Sequence, residues 1–471
     1  MKMRKKHIYL IGIKGVAMTA LAVYFIQRGF EVSGSDVNDE FLTDKILADF
    51  HIPVKRGFNS KNIDRKYDFV IVTGAHGGMT NPEAVYAKKL GIPTYMHGEF
   101  LGKLVKEKDG IAVAGCHGKT TTSAVIASLL THAGFAPSYI IGTASINDLG
   151  PAGHFGSGKY FIAEADEYMT CPMTCKKPRF LWQRPKLLVI TNIEYDHPDA
   201  YVDIDAVKIA FLEFCSNLPD DGLLIACVDN RNITEILPAV RKQVITYGFS
   251  PKADYRIERF YFGEGRSFMK ISYRGMSLGE YMIAIPGKHN LLNVLGACIA
   301  VNLVGVDWNK IKENIKLFTG TKRRFEKISE YNGIALYDDY AHHPTEIMAT
   351  IAGARAWFQK RRIIVIFQPH TYSRTRSLLK EFGKAFGEAD TVLITDIYPS
   401  AREVFDPNIS SKMLEIEANK NKKNTYYLSN KKAAFHFLKE KLKPNDIVIT
   451  MGAGDIYTWH NDLIKLIKSY G

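Results

Sequence analysis

The sequence lacks a long apolar run. No uninterrupted apolar stretch among its 471 residues reaches the roughly 18 residues that a membrane-spanning helix needs. The N-terminal "MKMRKKHIYLIGIKG" superficially resembles a secretory signal peptide. Its apolar part spans only about half a dozen residues, ends in glycine and carries Lys14, so it predicts a first β-strand instead. We therefore expect no membrane insertion.

Cysteine is also scarce. Spread singly through the chain, the six cysteines do not form a disulfide framework, which favours a reducing, cytoplasmic location. Two of them, Cys171 and Cys175, flank the segment "CPMTC". No second pair or histidine cluster follows at the spacing of a zinc site, so we expect no zinc there.

The charge balance is basic, and a nucleic-acid-binding module is missing. The net charge is +13 and the sequence pI is near 9.2. Such a charge attracts either nucleic acids or anionic substrates. Because the sequence has no recognisable RNA- or DNA-binding module, we expect no nucleic-acid partner and a negatively charged substrate. Lysine-rich runs such as "NKNKKN" are typical of solvated surface.

Residues 110–130 contain a phosphate-binding pattern. A short apolar run, "GIAVAG", leads into "GCHGKTTTSAVIASLL", whose apolar residues recur at helical spacing until Gly134. A strand, a glycine turn, a lysine and then a helix present backbone N–H groups to an anion. Lys119 would reach the outer phosphates of a nucleotide, and the Thr120 hydroxyl would bind its magnesium. The alternative is a helix cap with an incidental lysine.

Strand-type runs alternate with helical segments along most of the chain. This alternation predicts an α/β fold with parallel sheets and three domains, over residues 1–107, 108–321 and 322–471. The first and third domains are expected to be Rossmann-like, and the central one to carry the phosphate loop. Residues 240–285 are turn-rich and predict a small antiparallel patch. The predicted strands include "HIYLIGI", "FEVSGSD", "DFVIVTGA", "IPTYM", "YFIAEAD", "KLLVITNI", "GIALYDD", "RIIVIFQP", "TVLITDI" and "DIVITMGAG".

The first predicted strand ends in a degraded dinucleotide fingerprint, "GIKGVAM". Gly12 and Gly15 permit a tight strand-to-helix turn, and Asp36 ends the second strand, where ribose acceptors often lie. Lys14 and Met18 replace two of the usual small residues. A dehydrogenase is therefore possible, and a site for another nucleotide diphosphate is at least equally compatible.

Polar residues follow several later strands. "EADE" places Glu164 and Asp166 at one strand end, and "NIEYDH" places Asn192, Asp196 and His197 at the next. Carboxylates beside a phosphate loop can hold Mg²⁺ directly or through water, and a histidine can bind a second metal or steady transferring charge. Each residue alone is equally compatible with a capped turn, but the combination favours a nucleotide site.

Four further motifs suit an ATP-dependent enzyme. "PGKHNLLN" carries Asn290 on a turn before an apolar helix, and "KRRF" offers Arg324 to phosphate. "DDYAHHP" and "FQPHTYSRT" are rich in His, Arg and Tyr at predicted strand ends, where they can receive a carboxylate or an amine. A solvated loop is the alternative for either of these two.

Together, the motifs resemble those of the Mur ligases, the ATP-dependent amide ligases of peptidoglycan synthesis. The resemblance spans essentially the whole chain and includes "GCHGKTTT", which matches the short phosphate loop of that family. Its other motifs are "IGIKGVAM", "SGSD", "EADE", "PGKHN", "RRF", "DDYAHHPTE", "FQPHTYSRT" and "MGAGDI". The resemblance implies ligation of L-alanine to UDP-N-acetylmuramate through an acyl phosphate, with ATP and Mg²⁺, in a cytoplasmic monomer or homodimer.

The resemblance also implies a role for individual residues. Gly12, Gly15 and Asp36 would serve the UDP-sugar. His342 and Arg374 would face the amino acid, and Lys119, His197, His342 and Arg374 would be catalytic. The first metal would lie on Thr120 and Glu164, with His197 by a second. The nucleotide would contact the loop and three later sites: Gly115, Cys116, His117, Gly118, Lys119, Thr120, Thr121, Asn290, Arg324 and Asp339.

Some segments depart from the family pattern. Cys116 replaces the usual loop threonine, and the segment after "EADE" carries an insertion typical of ligases that attach a whole tripeptide to the same UDP-sugar. Tripeptide addition is therefore the alternative within the family. Lys208 is out of register with the lysine that many Mur ligases carbamoylate, so we expect no such modification. A dehydrogenase or a switch NTPase would leave most of the motifs unexplained.

Overall fold

The computed structural model describes residues 5–263, 265–399 and 403–470 of the chain. They form two compact units. The first runs to Phe260 and includes Met269–Ile283 and Leu291–Thr321, and the second holds Tyr261–Phe268, Ala284–Asn290 and the chain from Lys322 onward. None of the helices in these residues combines the length and apolarity that crossing a membrane requires.

The N-terminal part of the first unit is a five-stranded parallel sheet in the order β3-β2-β1-β4-β5. The order reverses between β1 and β4, which opens a crevice at their carboxyl ends. The predicted Rossmann-like arrangement is confirmed, although the short strand β3 was not predicted. The elements are β1 (His7–Ile11), α1 (Val16–Gln27), β2 (Glu31–Asp36), α2 (Asp44–Asp49), β3 (Val54–Arg56), β4 (Phe69–Val72), α3 (Pro82–Lys89), β5 (Thr94–Met96) and α4 (His97–Lys106).

Strand β1 shows how this sheet is buried on both faces. Ile8 and Leu10 belong to a core with α1 and α4, whereas Tyr9 and Ile11 belong to a second core with α3. Successive strand residues point to opposite faces, so a strand covered by helices on both sides reads as a continuous apolar run. The first core also contains Phe161 from the next sheet, because α1 packs against both.

The central sheet has ten strands in the order β17-β16-β15-β14-β13-β12-β6-β9-β7-β8. Strands β9, β6 and β12 are parallel neighbours, so their carboxyl ends lie side by side. The elements are β6 (Asp109–Ala114), α5 (Lys119–His132), β7 (Ser138–Ile146), β8 (Gly150–His154), β9 (Tyr160–Ala165), β10 (Met169–Cys171), β11 (Cys175–Pro178), β12 (Leu187–Ile190), α6 (Ile204–Ser216), β13 (Leu223–Cys227), α7 (Arg231–Ile236), β14 (Gln243–Gly248), β15 (Tyr255–Gly263), β16 (Arg266–Tyr273), β17 (Met276–Ile283), α8 (Lys288–Leu303) and α9 (Trp308–Asn314).

Two features of this region differ from the sequence prediction. Residues 240–285 belong to the central sheet: β14 pairs in parallel with β13 and β15, which was not predicted, and β15, β16 and β17 follow as its outer strands. The insertion after "EADE" folds as a small antiparallel hairpin of β10 and β11. Arg179 follows directly after this hairpin.

The C-terminal sheet has six strands in the order β18-β19-β23-β20-β21-β22, parallel except for the edge strand β18. Strands β18 and β22 were not predicted, whereas the four long apolar strands were. The elements are β18 (Glu326–Tyr331), β19 (Ile334–Asp339), α10 (Pro344–Trp357), β20 (Ile363–Phe367), α11 (Tyr372–Ser377), α12 (Leu379–Lys384), β21 (Thr391–Ile394), α13 (Ser411–Asn419), β22 (Thr425–Tyr427), α14 (Lys431–Lys441), β23 (Ile447–Met451) and α15 (His460–Lys468).

Candidate active site

The predicted phosphate loop lies between β6 and α5, where close packing fixes its shape. Gly115 has a φ of 135°, and a Cβ there would lie 2.1 Å from Thr191 Oγ1. Gly118 has a φ of 82°, and a Cβ there would lie 2.3 Å from Asn293 Oδ1 in α8. Both positions therefore require glycine. The short glycine pattern is thus explained by the neighbours of the loop, which come from β12 and α8.

Side chains beyond β12 hold the middle of the loop. The His117 N–H donates to Asn192 Oδ1 at 2.9 Å, and the His117 carbonyl accepts from Asn192 Nδ2 at 2.8 Å and from Thr191 Oγ1 at 2.6 Å. The Cys116 thiol donates to the carbonyl of Glu194 at 3.2 Å. Burial raises the pKa of the Cys116 thiol well above its ordinary value. Cys116 therefore remains a neutral thiol and has a structural role.

Lys119 is the first residue of α5, and its ammonium group turns back over the loop. Nζ donates to the carbonyls of Gly115 at 2.6 Å and Cys116 at 3.3 Å, and lies 2.8 Å from Glu167 Oε2. Burial alone would lower the pKa of Lys119, but the charges of Glu167 and Asp166 raise it above the ordinary lysine value. The side chain therefore carries a fixed positive charge beside the loop.

An acidic cluster with a histidine lies next to Lys119. Ligand atoms of Asp166, Glu167 and His197 all fall within 4.8 Å of one another. Glu167 is 1% exposed, and its Oε1 accepts no well-aligned hydrogen bond among the described residues. His197 Nε2 lies 3.5 Å from this oxygen. Two carboxylates and an imidazole suit a divalent cation, and a buried oxygen without a good donor supports that fit.

The backbone and charge state of His197 also set it apart. Its φ is 60°, an unfavourable conformation for a residue other than glycine, and such strain is often found at functional sites. Burial lowers the pKa of His197, but the charges of Asp196, Glu167 and Asp166 outweigh it, so the net shift is upward. The acidic neighbours of His197 therefore favour its protonated form.

The residues predicted to hold the first metal lie nearby but have other neighbours. Glu164 Oε1 accepts the N–H of Gly142 at 2.9 Å, and Thr120 is buried in the first turn of α5 beside the partly exposed Thr121. Metal binding by Glu164 and Thr120 stays a prediction. Glu167 was not predicted, although "EADE" contains the signal: Glu164 lies within β9, whereas Glu167 follows the end of that strand.

The predicted UDP-sugar residues lie at the crevice of the N-terminal sheet. Gly12 follows β1 with a φ of 79°, and the Thr73 side chain, just beyond β4, lies against its Cα. Gly15 is the N-cap residue of α1. The two glycines thus line the turn between β1 and α1 at the point where the strand order reverses, which is where open α/β sheets bind ligands.

Asp36 helps to shape this turn. Its carboxylate is buried and accepts the N–H groups of Lys14 at 2.7 Å and Val37 at 2.8 Å. His76 Nε2 lies 3.6 Å from the same carboxylate. The side chain of Lys14 extends to Asp44 in α2, at 3.2 Å, so its charge is paired. Direct contact between Asp36 and a UDP-sugar stays a prediction.

The motif "KRRF" contains two arginines with different environments. Arg323 is buried, and its guanidinium donates to Asp338 Oδ2 at 3.0 Å and to the carbonyls of Gly452 and Gly454. It therefore ties β19 to the loop after β23. The guanidinium of Arg324 is partly exposed and lies over the Tyr340 ring, with its carbon 5.3 Å from the ring centroid. Arg324, the predicted phosphate ligand, is accordingly the more accessible of the two.

Asp339 and His342 lie at the carboxyl end of β19. Asp339 accepts the N–H groups of Phe325 at 2.8 Å and Ala341 at 2.7 Å, and burial raises its pKa to about 6 against the opposing charge of Arg324. His342 Nδ1 lies 3.2 Å from Glu346 Oε2. The ring of His342 also lies 6.0 Å from that of His370, which connects the motifs "DDYAHHP" and "FQPHTYSRT".

Arg374 and Asn290 complete the predicted set. Arg374 is buried in α11, which begins after Thr371, a residue with a strained φ of 70°. Asn290 lies in the first turn of α8, where its Nδ2 donates to the carbonyl of Pro286 at 2.7 Å. Contact of these side chains with the amino acid and adenine stays a prediction.

Three family models match successive parts of the chain. They are "Mur ligase family, catalytic domain" over residues 7–109, "Mur ligase middle domain" over 113–301 and "Mur ligase, glutamate ligase domain" over 323–454. The chain belongs to the Mur ligase family. The three-domain α/β fold of Mur ligases is therefore confirmed, whereas the domain boundaries at 107/108 and 321/322 remain predictions.

Individual Mur ligases are similar to the chain over nearly their whole length. UDP-N-acetylmuramate–L-alanine ligase of Desulfitobacterium hafniense is 39% identical over 459 residues, covering 97% of this chain and 99% of that protein. The corresponding ligase of Geobacter sulfurreducens is 39% identical, covering 96% of this chain and 95% of that protein. Among solved structures, UDP-N-acetylmuramate–alanine ligase MurC of Thermotoga maritima is 26% identical with a TM-score of 0.82, covering 99% and 100% of the two chains.

The fold is also shared with a Mur ligase of another specificity. The murein peptide ligase of Psychrobacter arcticus has a TM-score of 0.73 at 23% identity, with 99% of both chains covered. At this identity the likeness concerns the fold alone.

Proposed function

We propose that the chain is an ATP-dependent amide ligase that joins L-alanine to the lactyl carboxylate of UDP-N-acetylmuramate, releasing ADP and phosphate, in peptidoglycan precursor synthesis. The observation that carries this proposal is the 39% identity to a UDP-N-acetylmuramate–L-alanine ligase over 97% of this chain and 99% of that protein. The phosphate loop with its lysine and acidic cluster supplies the chemistry that such a reaction needs.

The first step activates the carboxylate. A carboxylate is a poor acyl donor, so its oxygen attacks the γ-phosphoryl group of ATP, the bond to ADP breaks, and an acyl phosphate forms. Negative charge accumulates on the phosphoryl oxygens in the transition state, and fixed positive charge stabilises it. Lys119 supplies such a charge from the start of α5, and the N–H groups in the first turn of that helix would face the phosphates.

The acidic cluster beside Lys119 suits a magnesium ion. We propose that Glu167 and His197 hold it, with Thr120 and Glu164 as further candidates, while Asp166 stays paired with Arg179. When bound, Mg²⁺ would neutralise charge on the phosphates of ATP.

The second step forms the amide. The uncharged amine of L-alanine attacks the acyl carbon, and the tetrahedral intermediate expels phosphate. In the C-terminal domain, Arg374 provides a guanidinium fork for the carboxylate of the amino acid, and His342, paired with Glu346, orients or deprotonates the amine. Asn290, Arg324 and Asp339 are proposed to contact adenine, phosphate and ribose.

The UDP-sugar is proposed to bind the crevice at Gly12 and Gly15, with Asp36 holding the turn in shape. This places the substrate at the carboxyl ends of β1 and β4, the reversal point of the sheet. We further propose that the enzyme works in the cytoplasm, where UDP-activated precursors and ATP are available, as a monomer or a homodimer.

A phosphate-release assay tests the proposal. Phosphate should appear only when UDP-N-acetylmuramate, ATP, Mg²⁺ and L-alanine are all present, and omission of any one should abolish it. Release without the UDP-sugar and amino acid would indicate a switch NTPase and overturn the proposal. The same assay with a murein tripeptide tests the alternative acceptor, and a higher kcat/KM for the tripeptide than for L-alanine would identify a tripeptide ligase.

A further inference from the structure

The β10–β11 hairpin ends at an arginine whose backbone is fixed on both sides. Arg179 follows Pro178, the last residue of β11. Its N–H donates to the carbonyl of Tyr168 at 2.9 Å, and the N–H of Phe180 donates to the carbonyl of Asp166 at 2.9 Å. The hairpin therefore returns the chain to the end of β9, next to the acidic cluster, and holds Arg179 there.

The guanidinium of Arg179 is only half used by the protein. Nη1 donates to Asp166 Oδ2 at 2.6 Å, and this is its sole hydrogen bond among the residues that the structure describes. The side chain is 25% exposed. A guanidinium has five N–H donors in a rigid planar fork. The protons on Nε and Nη2 are therefore left for a further acceptor.

The unused side of this guanidinium faces the crevice of the N-terminal sheet. Nη2 lies near Gly74, 3.2 Å from the position that a Cβ would take there, and the Thr170 carbonyl oxygen lies nearer still, at 2.2 Å. Gly74 is the second residue after β4, one of the two strands that border the reversal point. The aliphatic stem of Arg179 passes Gly98, in the first turn of α4, with Cβ and Cγ both 3.4 Å from the ideal Cβ position there. Arg179 thus reaches from the phosphate-loop edge to the ligand crevice.

The nearby titratable groups leave the positive charge on Arg179. The ring of His97 lies close by, and burial together with the charge of Arg179 lowers the pKa of His97 to about 4. His97 is therefore neutral at physiological pH. Asp166 pairs with the guanidinium through Nη1 alone and leaves Nε and Nη2 to other acceptors.

We propose that Arg179 binds an anionic oxygen of the UDP-sugar, on its diphosphate or on its lactyl carboxylate, and holds the sugar between the crevice and the phosphate loop. This inference rests on the proposed function. Asp166 grips one side of the guanidinium and fixes its plane, and the other side offers the fork geometry that matches carboxylate and phosphate oxygens. The hairpin insertion thereby serves to deliver a substrate-binding residue.

Steady-state kinetics of Arg179→Ala, Arg179→Lys and the control Arg184→Ala test this role. Arg184 is exposed and lies five positions further along, so its removal should leave the kinetics unchanged. Because Arg179→Ala removes charge-assisted hydrogen bonds, the KM for UDP-N-acetylmuramate should rise roughly 10- to 100-fold in that variant. The KM for ATP should change less than about threefold. Arg179→Lys keeps the charge without the fork and should recover part of the loss.

Calorimetric binding distinguishes the two possible oxygens. UDP-N-acetylglucosamine has the diphosphate but lacks the lactyl carboxylate. If Arg179→Ala weakens UDP-N-acetylmuramate alone, the contact is with the carboxylate. If it weakens both ligands by the same factor, the contact is with the diphosphate. Either result supports the proposal, whereas unchanged affinity for both overturns it.

A merely structural arginine would give a different pattern. In that case Arg179→Ala would have a lower melting temperature and equal rises in the KM for UDP-N-acetylmuramate and the KM for ATP. Arg179→Lys would show no selective recovery of the KM for UDP-N-acetylmuramate. That pattern overturns the proposal. If Arg179→Ala does not fold, Arg179→Lys is measured instead. A larger rise in the KM for UDP-N-acetylmuramate than in the KM for ATP then supports the proposal, and equal rises overturn it. If the unmutated enzyme fails to ligate L-alanine, the proposed function itself is wrong. If it ligates normally and Arg179→Ala behaves like Arg184→Ala, only the present inference is wrong.

Discussion

Two buried ion pairs lie at the carboxyl ends of parallel strands. In the central sheet Lys119 pairs with Glu167 at 2.8 Å, and in the C-terminal sheet Arg323 pairs with Asp338 at 3.0 Å. Both cations are largely buried, and both carboxylates are 1% exposed. The partner of Lys119 also faces His197 and belongs to a cluster that suits a divalent cation. Both cations also donate to two backbone carbonyls, and Asp338, like Glu167, has a histidine nitrogen 3.5 Å away. Of these two carboxylates, only Glu167 belongs, among the described residues, to a cluster that could hold a metal ion. A buried ion pair therefore indicates a functional cation only when its carboxylate belongs to such a cluster.

The largest expected effect concerns Lys119. Lys119→Ala should lower kcat for ligation by about 10³-fold, because removal of a fixed charge or donor at a developing oxyanion costs that much. The protein should remain folded, because His197 Nε2 still lies 3.5 Å from the buried Glu167 carboxylate once the lysine is removed. Lys186→Ala is the matched control, because Lys186 pairs with Asp221 at the surface of the same unit. Substantial turnover by a folded Lys119→Ala protein would refute the assignment of the phosphate loop.

Arg323 should show the opposite behaviour. Arg323→Ala should lower the free energy of unfolding by about 3–5 kcal/mol, because the buried carboxylate of Asp338 loses its guanidinium and keeps only Thr450 Oγ1 at 2.8 Å and His460 Nε2 at 3.5 Å. Arg324→Ala should change it by less than about 1 kcal/mol, since that ion pair is long and partly exposed. Urea denaturation of both variants measures the difference. Equal loss of stability in the two would remove the contrast between a structural and a ligand-facing arginine.

Two glutamates of the same motif sharpen the comparison further. Glu167→Gln should lower kcat by about 10²-fold and raise the Mg²⁺ concentration needed for half-maximal rate, because it removes a charge from the proposed metal cluster. Glu164→Gln should have the smaller effect, since Glu164 accepts the N–H of Gly142. A magnesium titration of the rate compares them. A larger effect in Glu164→Gln than in Glu167→Gln would support Glu164 as the metal ligand, as the sequence predicted.

The smallest expected effect is a pH dependence at Asp339. Its folded pKa is raised to about 6, so its contribution to stability is present at low pH and lost as the pH rises through that value. Asp339→Asn lacks this titration. The stability of the unmutated protein relative to Asp339→Asn should therefore fall by about 1 kcal/mol between pH 5 and pH 8. Denaturation at the two pH values measures it, and a difference that rises with pH would contradict the burial argument.

The sequence predicted the parallel sheets well because their strands are buried on both faces. Strands such as β1, β19, β20 and β23 read as continuous apolar runs and need no knowledge of their neighbours. The short or half-exposed strands β3, β18 and β22 carry no such run and were missed. Whether β14 extends the central sheet is decided by pairing with β13, a long-range choice that its own residues do not encode.

The site was predictable where motifs follow strand ends and unpredictable where side-chain direction decides. The loop residues and His197 follow β6 and β12, and their convergence with β9 results from parallel pairing. Whether Glu164 or Glu167 faces Lys119 depends on where β9 ends. Arg179 gave no sequence signal, because its position depends on how an insertion folds back beside β9.

Isotope transfer from the carboxylate tests the central claim most directly. UDP-N-acetylmuramate labelled with heavy oxygen in the lactyl carboxylate is incubated with the enzyme, ATP and L-alanine, and the released phosphate is examined by mass spectrometry. Formation of an acyl phosphate transfers one carboxylate oxygen to the phosphoryl group, so each phosphate should carry one labelled oxygen. If the amide product forms and the released phosphate carries no label, the acyl-phosphate mechanism is contradicted.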